Sequence, residues 1–148
     1  MPPLVRRYLK TAIGYLLFGI GLGLYMLVQR EVGGVWPTPW WVSAHTHAIL
    51  VGFVMMMILG VALWMFPRPG RDDRQFDTRK AEAAYWFITL GTAVRLAGEL
   101  LRPASGAMPV RWGVVAGGAA QTIGLALFFY AMWSRIRGRP AGAPPTTP

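Results

Sequence analysis

Two histidines inside a long apolar stretch are the residues of this chain best suited to do chemistry. His45 and His47 are the only two histidines in the sequence, and they open the run SAHTHAILVGFVMMMILGVALWMF. An imidazole within a membrane-spanning helix is costly unless it has a partner, so it is a candidate functional group by default. Both residues are therefore candidate ligands for a metal or a metal-containing cofactor.

The spacing of the two histidines predicts that they face different directions. At about 100° per residue, side chains two positions apart diverge by about 200°, so a regular helix cannot bring both to one metal. Gly52 and Met56 share the face of His45, which we predict to be the interior face, with room for a cofactor and with Met56 as a possible axial ligand. We predict the outer face for His47, beside an aliphatic stripe formed by Val51, Val54, Ile58 and Val61.

A charged pair lies in the third apolar stretch at a depth similar to that of the histidines. Arg95 and Glu99 are four residues apart, one helical turn. A buried arginine requires an anion, which is either Glu99 itself or an anionic group of a bound cofactor. Gln121, in the middle of the fourth stretch, is another polar group that needs a partner. The alternative for the histidines is likewise a hydrogen bond to a neighbouring hydroxyl or carbonyl group.

The composition indicates which elements position these side chains. Of the 148 residues, 54% are hydrophobic and 14% are charged, and the net charge is +9. Soluble domains carry about 25% charged residues. The basic residues lie in short clusters between apolar runs, which is typical of membrane proteins and not of a soluble nucleic-acid-binding protein. The absence of cysteine excludes a disulfide scaffold, and the apolar content excludes a disordered chain.

Four apolar segments approach or exceed the length of about 20 residues that crosses a hydrocarbon core. In lipid each must be helical, because its backbone groups have no water to bind. Short connections favour antiparallel neighbours, so we predict an all-α integral membrane protein with an up-down-up-down four-helix bundle. The predicted bundle occupies residues 1–137 and a disordered Pro/Gly-rich tail occupies 138–148. The predicted spans are 11–28, 42–66, 81–101 and 112–133.

The distribution of Lys and Arg predicts the orientation. Eleven of them lie at the N-terminus, in the 67–80 connection, which is predicted to be a charged hairpin loop, and in the C-terminal tail. Only Arg30, Arg102 and Arg111 lie in the other connections. The positive-inside rule then places both termini in the cytoplasm. Tryptophans fall at both predicted membrane boundaries, as aromatic belts do.

Two pairs of glycines have the GxxxG spacing that lets helix backbones approach closely. Gly19 and Gly23 form the pair in the first segment, and Gly113 and Gly117 form the pair in the fourth. Such a pair serves a dimer interface, leaves room for a flat cofactor, or packs against another helix of the same bundle.

The second segment resembles a known family. The residues from His45 to Phe53 and from Trp64 to Arg68 resemble the second helix of heme-copper oxidase subunit I, closest to its nitric oxide reductase and C-type branches. They are also similar to short four-span proteins described as oxidase subunit I-like. The resemblance covers about residues 8 to 67. It implies that His45 is an axial ligand of a low-spin heme b. In that family the heme propionates often lie near an arginine, and the depth of Arg95 would suit this role.

The same resemblance sets an expectation for function. Two histidines are too few for a heme-copper centre, so reduction of oxygen or nitric oxide by this chain alone is not expected. We expect a heme b-binding protein of a bacterial or archaeal cytoplasmic membrane, acting in respiratory electron transfer or in nitric oxide or heme handling. The second axial ligand is Met56, His45 of a second copy, or absent.

Two other hypotheses remain open at this point. One is a cofactor-free accessory or assembly subunit of a respiratory oxidase or reductase, whose histidines make hydrogen bonds between helices. The other is a copper-delivery protein that binds Cu(I) through His45, His47 and the methionines, which are soft ligands. The expected partners are the lipid bilayer, further copies of the chain and a respiratory complex, with no nucleic acid.

Overall fold

A computed structural model describes residues 1–66 and 77–136, and these ranges form four helices without any strand. The predicted all-α class is confirmed. The predicted tail 138–148 and most of the predicted 67–80 loop lie outside the described residues. The helices are α1 (Pro3–Glu31), α2 (Pro39–Met65), α3 (Thr78–Leu101) and α4 (Met108–Ile136).

Every helix begins earlier than its apolar segment predicts, because polar and proline residues start the helices. Pro3 and Pro39 occupy the first helical turn. Proline is tolerated there because the first N–H groups of a helix have no acceptor within the helix, so no hydrogen bond is lost. The Thr38 side chain accepts a hydrogen bond from the backbone N–H of Trp41 at the start of α2. Asp77 caps α3 in the same way, through the N–H of Arg79.

Three of the helices, α1, α2 and α4, are long and apolar enough to cross a membrane. They contain 29, 27 and 29 residues. Helix α3 has 24 residues, and two of its charged side chains, Arg95 and Glu99, lie well inside the helix. The described part of the chain is therefore that of a membrane-embedded, multi-pass protein.

Consecutive helices pack antiparallel. Along α1 and α2 the contacts run in opposite directions, because Gly19 lies against Ile49 whereas Leu9 lies against Gly60. We call the end at which α1 begins the proximal end of the bundle and the end at which α1 finishes the distal end. The histidines lie near the distal end, at the start of α2.

The hydrophobic core occupies the proximal half, where all four helices meet. Tyr8 lies at its centre, with the rings of Tyr85 and Phe128 at 5.2 and 6.0 Å. The Tyr8 hydroxyl donates to the Ala81 carbonyl over 2.9 Å. The distal half has only a small apolar cluster, built from Ala44, Ala48 and Leu96. The distal half is consequently where polar groups are found between the helices.

Helix α2 is not a regular α-helix. Its segment Ala48–Met55, directly after the histidines, is π-helical. In an α-helix, residues four apart advance by about 40° beyond a full turn, and the wider π turn removes this drift. The result is a straight stripe of buried residues with a period of four, formed by Ala44, Ala48, Gly52, Met56 and Gly60.

Helices α3 and α4 approach each other closely along small residues. A Cβ atom added at Gly117 would lie 2.7 Å from both the Gly91 carbonyl oxygen and the Arg95 backbone nitrogen. These neighbours are backbone atoms, which cannot turn aside as a flexible side chain can. Gly113, one turn earlier, has no atom within 4 Å of such a Cβ. Only one member of this glycine pair therefore faces α3.

We predict that Gly117→Ala destabilises the bundle and that Gly113→Ala does not. The added methyl group at 117 would force the two backbones apart, and overpacking of this kind costs about 1–3 kcal/mol. At the open position 113, alanine is the better helix former. The measurement is the unfolding transition of each variant in detergent micelles, followed by circular dichroism. Equal stability of the two variants would contradict the close α3–α4 contact.

Candidate functional site

The imidazole of His45 lies against the backbone of α1. Its Nδ1 is 2.8 Å from the Gly19 carbonyl oxygen. A Cβ atom at Gly23, one turn further along α1, would come within 2.8 Å of the His45 Cε1. The ring can occupy this place because position 23 has no side chain. The Gly19 and Gly23 pair of α1 thus faces α2 within one chain.

The hydrogen bond to Gly19 determines which nitrogen of His45 is available. A carbonyl oxygen can only accept, so Nδ1 carries the proton and the lone pair of the neutral ring is on Nε2. Among the described residues, Nε2 has no hydrogen-bond partner. Metal-ligating histidines typically donate their other ring N–H to a carbonyl or carboxylate in this manner, which fixes both tautomer and ring orientation.

His45 borders a cleft of about 370 Å³ at the distal end of α1 and α2. Four of the cleft residues follow one another on a single face of α1, at the spacing i, i+3, i+4 and i+7. Neither α3 nor α4 contributes a lining residue, so the cleft opens on the outside of the bundle. Its lining consists of Gly23, Met26, Leu27, Arg30, Pro37, Val42 and His45.

Arg30 supplies the only charged side chain among the residues that line this cleft. Its guanidinium lies 5.5 Å from the centre of the Trp36 ring and donates from Nε to the Glu31 carboxylate over 2.6 Å. Both partners of this ion pair are largely exposed, at 41% and 60%. Exposed pairs of this kind contribute little energy, so the cation can exchange Glu31 for another anion.

His47 faces α3, not the outer surface that its helical position predicts. Its Nδ1 lies 2.8 Å from the Ser43 carbonyl oxygen and 3.6 Å from Oε1 of Glu99. The side chain is 22% exposed. The prediction of an outward His47 is therefore wrong. It assumed one apolar interior face, whereas α2 packs between α1 and α3 and presents a histidine to each.

A hydrogen-bonded network joins α2, α3 and α4 at this level. Glu99 Oε1 accepts hydrogen bonds from Arg95 Nε, at 3.0 Å, and from Ser43 Oγ, at 2.8 Å. Arg95 also donates to Oε1 of Gln121 over 3.3 Å, and Gln121 donates to the Thr92 hydroxyl over 3.0 Å. Arg95 is thus bound to Glu99 and Gln121, and it does not line the His45 cleft.

Glu99 is the most enclosed charged member of this network, with 1% of its side chain exposed. Its second oxygen, Oε2, is buried and has no hydrogen-bond partner among the described residues. A buried carboxylate is expensive unless it is compensated, and the guanidinium of Arg95 supplies the compensating charge. Among the described residues, the carboxylate and the guanidinium thus pair with each other, which is one of the two interpretations that the sequence allows.

Gly52 and Met56 do not belong to the His45 cleft. A Cβ atom at Gly52 would lie 2.5 Å from the Tyr15 ring, so a side chain of α1 fills the space beside this glycine. Met56 is fully buried in the proximal core. It follows His45 by eleven residues along α2, towards the proximal end. The structure separates Met56 from the His45 site.

Sequence reasoning missed Met26, Arg30 and Ser43. Met26 and Arg30 share a face of α1 with Gly23, which lies against His45 of α2. A glycine in α1 that leaves room for an imidazole is the sequence signal for this face. Ser43 precedes His47 by one helical turn, a spacing from which a hydroxyl can reach the same partner. In the described ranges, no group of three or more His, Cys, Asp or Glu side chains is placed to hold a metal ion.

Comparison with known proteins identifies no neighbour for this chain. No protein-family model, curated protein or solved structure matches it.

We predict that Glu99→Ala destabilises the protein far more than Glu82→Ala. Removing one partner of a buried ion pair costs about 3–5 kcal/mol, and since the Arg95 side chain left without its partner is 25% exposed, we expect a loss at or below the lower end of that range. Glu82 is a matched control on the same helix, because its 2.6 Å pair with Arg7 is 44–50% exposed. Loss of such a pair costs about 0–1 kcal/mol.

The measurement is the free energy of unfolding of each variant in mixed micelles, by denaturing-detergent titration. The double variant Arg95→Ala/Glu99→Ala should recover part of the loss, because it removes both buried charges. Similar losses for Glu99→Ala and Glu82→Ala would show that the carboxylate at 99 is not enclosed.

Proposed function

We propose that this chain is a heme b-binding, four-span membrane protein of the oxidase subunit I-like type, with His45 as an iron ligand. Its role would be respiratory electron transfer, or nitric oxide or heme handling, in a bacterial or archaeal cytoplasmic membrane. One observation carries the proposal above all others. The Nδ1–H of His45 is committed to the Gly19 carbonyl, which leaves the Nε2 lone pair for a ligand in the cleft.

The chemical character of the other cleft residues suits a heme. Its walls are mostly apolar, which suits a macrocycle, and the cationic Arg30 suits a carboxylate. Gly23 keeps the α1 side of the cleft flat next to the imidazole. When bound, a heme supplies a one-electron couple whose potential depends on its axial ligands and on the local dielectric. The chain would hold it by orienting His45 and by excluding water.

The proposed function requires α3 to be the fourth span. At 1.5 Å per residue its 24 residues extend about 36 Å, more than the hydrocarbon thickness of about 30 Å. The charges that lower its hydropathy, Arg95 and Glu99, pair with each other inside the bundle. Charged residues that face a bundle interior and have partners are compatible with a transmembrane helix.

The position of His47 favours a second candidate function, a cofactor-free accessory subunit. Its imidazole lies between α2 and α3 next to Ser43 and Glu99, as expected for a polar group that binds helices together. Copper delivery has less support, because His45 and His47 contact different helices. An absorption spectrum of the purified protein distinguishes the heme-binding function from the cofactor-free one.

We predict that the protein expressed with added heme and purified in detergent shows b-type Soret and α bands in a reduced-minus-oxidised spectrum. His45→Ala should abolish the bands, because it removes the iron ligand. His47→Ala is the matched control, two residues away in the same helix, and should keep the α band. A colourless wild-type protein would favour the accessory-subunit function. Bands that persist in His45→Ala would exclude His45 as the ligand.

We predict that α3 crosses the membrane, with both termini on the cytoplasmic side. The chain contains no cysteine, so single cysteines can be placed at Val35, Thr78 and Ala104 as topology markers. Val35→Cys and Ala104→Cys should react with an impermeant maleimide on intact cells, and Thr78→Cys only after permeabilisation. Protection of Ala104→Cys in intact cells would mean that α3 stays on the inner side.

A further inference from the structure

We propose that one heme is shared by two copies of this chain, each copy contributing one His45 and one Arg30. This inference rests on the proposed heme function and deepens it by naming the partner. The His45 cleft lies on α1 and α2 at the outside of the bundle. A ligand held there is covered by the chain on one side only.

The cleft is small for the group that it would hold. Its volume of about 370 Å³ is near the lower limit of the 300–1,000 Å³ that small-molecule sites occupy, and a heme is a large ligand. One chain therefore encloses one face and part of the edge of a macrocycle. The other face remains open, and a second surface has to cover it.

Within the described ranges, the other histidine and most methionines of one chain are directed away from the second face. His47 contacts α3 beside Glu99, and Met56 is enclosed in the proximal core. Met26 is the one thioether in the cleft, and only 9% of this residue is exposed. It lies on the same chain and the same side of the bundle as His45. The second axial ligand is best supplied by the imidazole of another copy.

The number and placement of the charged groups match such a dimer. In a two-fold symmetric pair, the same residues face each other across the axis, so two His45 and two Arg30 side chains converge on one site. A heme b has two axial positions and two propionate groups. Along α1, Arg30 is seven residues beyond Gly23, about 10 Å towards the distal end, so it reaches the edge of a macrocycle held by His45.

The glycine pairs do not compete for this interface. Gly19 and Gly23 pack against Ile49 and His45 of the same chain. Gly117 packs against Arg95 of the same chain. The contact between copies would instead form around the cleft, over exposed apolar residues of α1 and α2 such as Leu27 and Val42. Heme ligation at the interface makes the dimer dependent on the cofactor.

The first test measures stoichiometry. The full-length protein is expressed with added heme, and heme is quantified against protein by amino-acid analysis, while native mass spectrometry gives the composition of the coloured species. We expect half a heme per chain, two chains with one heme, and a low-spin ferric electron paramagnetic resonance signal. One heme per single chain overturns the sharing but leaves the heme function intact. A protein that binds no heme overturns the proposed function, and this inference with it.

The second test uses a mixed dimer. Wild-type chain is co-expressed with a differently tagged His45→Gly chain, and the species carrying both tags is isolated. We expect a five-coordinate, high-spin heme that becomes low-spin when imidazole is added, because imidazole replaces the missing side chain. A mixed species with an unchanged low-spin spectrum overturns the assignment of one His45 to each face.

Two further variants test the remaining cleft residues. Met26→Leu should keep the low-spin spectrum, and conversion to high spin would instead identify a His–Met ligand pair within one chain and overturn the proposal. Arg30→Gln should speed the transfer of heme to apomyoglobin about 2- to 5-fold, the effect of losing an exposed ion pair. Arg102→Gln is the control, since Arg102 is also distal but stacks on Trp40, 4.6 Å away. Equal effects of the two arginine variants would contradict a role for Arg30 in the cleft.

Discussion

The enclosure of Glu99 is the constraint on which the distal half of this bundle depends. A carboxylate in an apolar layer has to be compensated, and Arg95 and Ser43 do so from two different helices. Through Gln121 the same network reaches α4. Satisfying this one side chain fixes the rotation of α2 against α3, and the histidine on the opposite side of α2 is thereby turned towards α1.

The π-helical segment Ala48–Met55 lets both halves of α2 meet their neighbours. Distally α2 presents one histidine to α1 and one to α3, and proximally it supplies Met56 to a core where all four helices converge. A regular helix would rotate the proximal residues away from this stripe. Irregular turns of this type recur at functional sites, and here the turn lies directly beside the candidate iron ligand.

The two ends of the bundle differ in composition: the proximal end is apolar and the distal end contains polar groups between the helices. The proximal end is packed around Tyr8 with aromatic rings, whereas the close α3–α4 contact at Gly117 lies further towards the distal end, at the level of Arg95. The distal end has few buried apolar residues and holds the polar network and the His45 cleft. The aromatic core and the His45 cleft thus lie apart along the axis, so the cleft can open outward without disturbing that core.

The sequence by itself determined the helical class and the apolar segments, and it placed Arg95 and Glu99 one helical turn apart. These follow from hydropathy and from a spacing of four residues, which are local properties. It also identified His45 and His47 as diverging, because their two-residue spacing fixes an angle. Only the tertiary structure decided what each faces: a π turn changes the helical phase, and packing places Gly19 under His45 and Glu99 beside His47. Arg30 and Met26 likewise join His45 only through the contact of α1 with α2, a contact between residues that are distant in the chain.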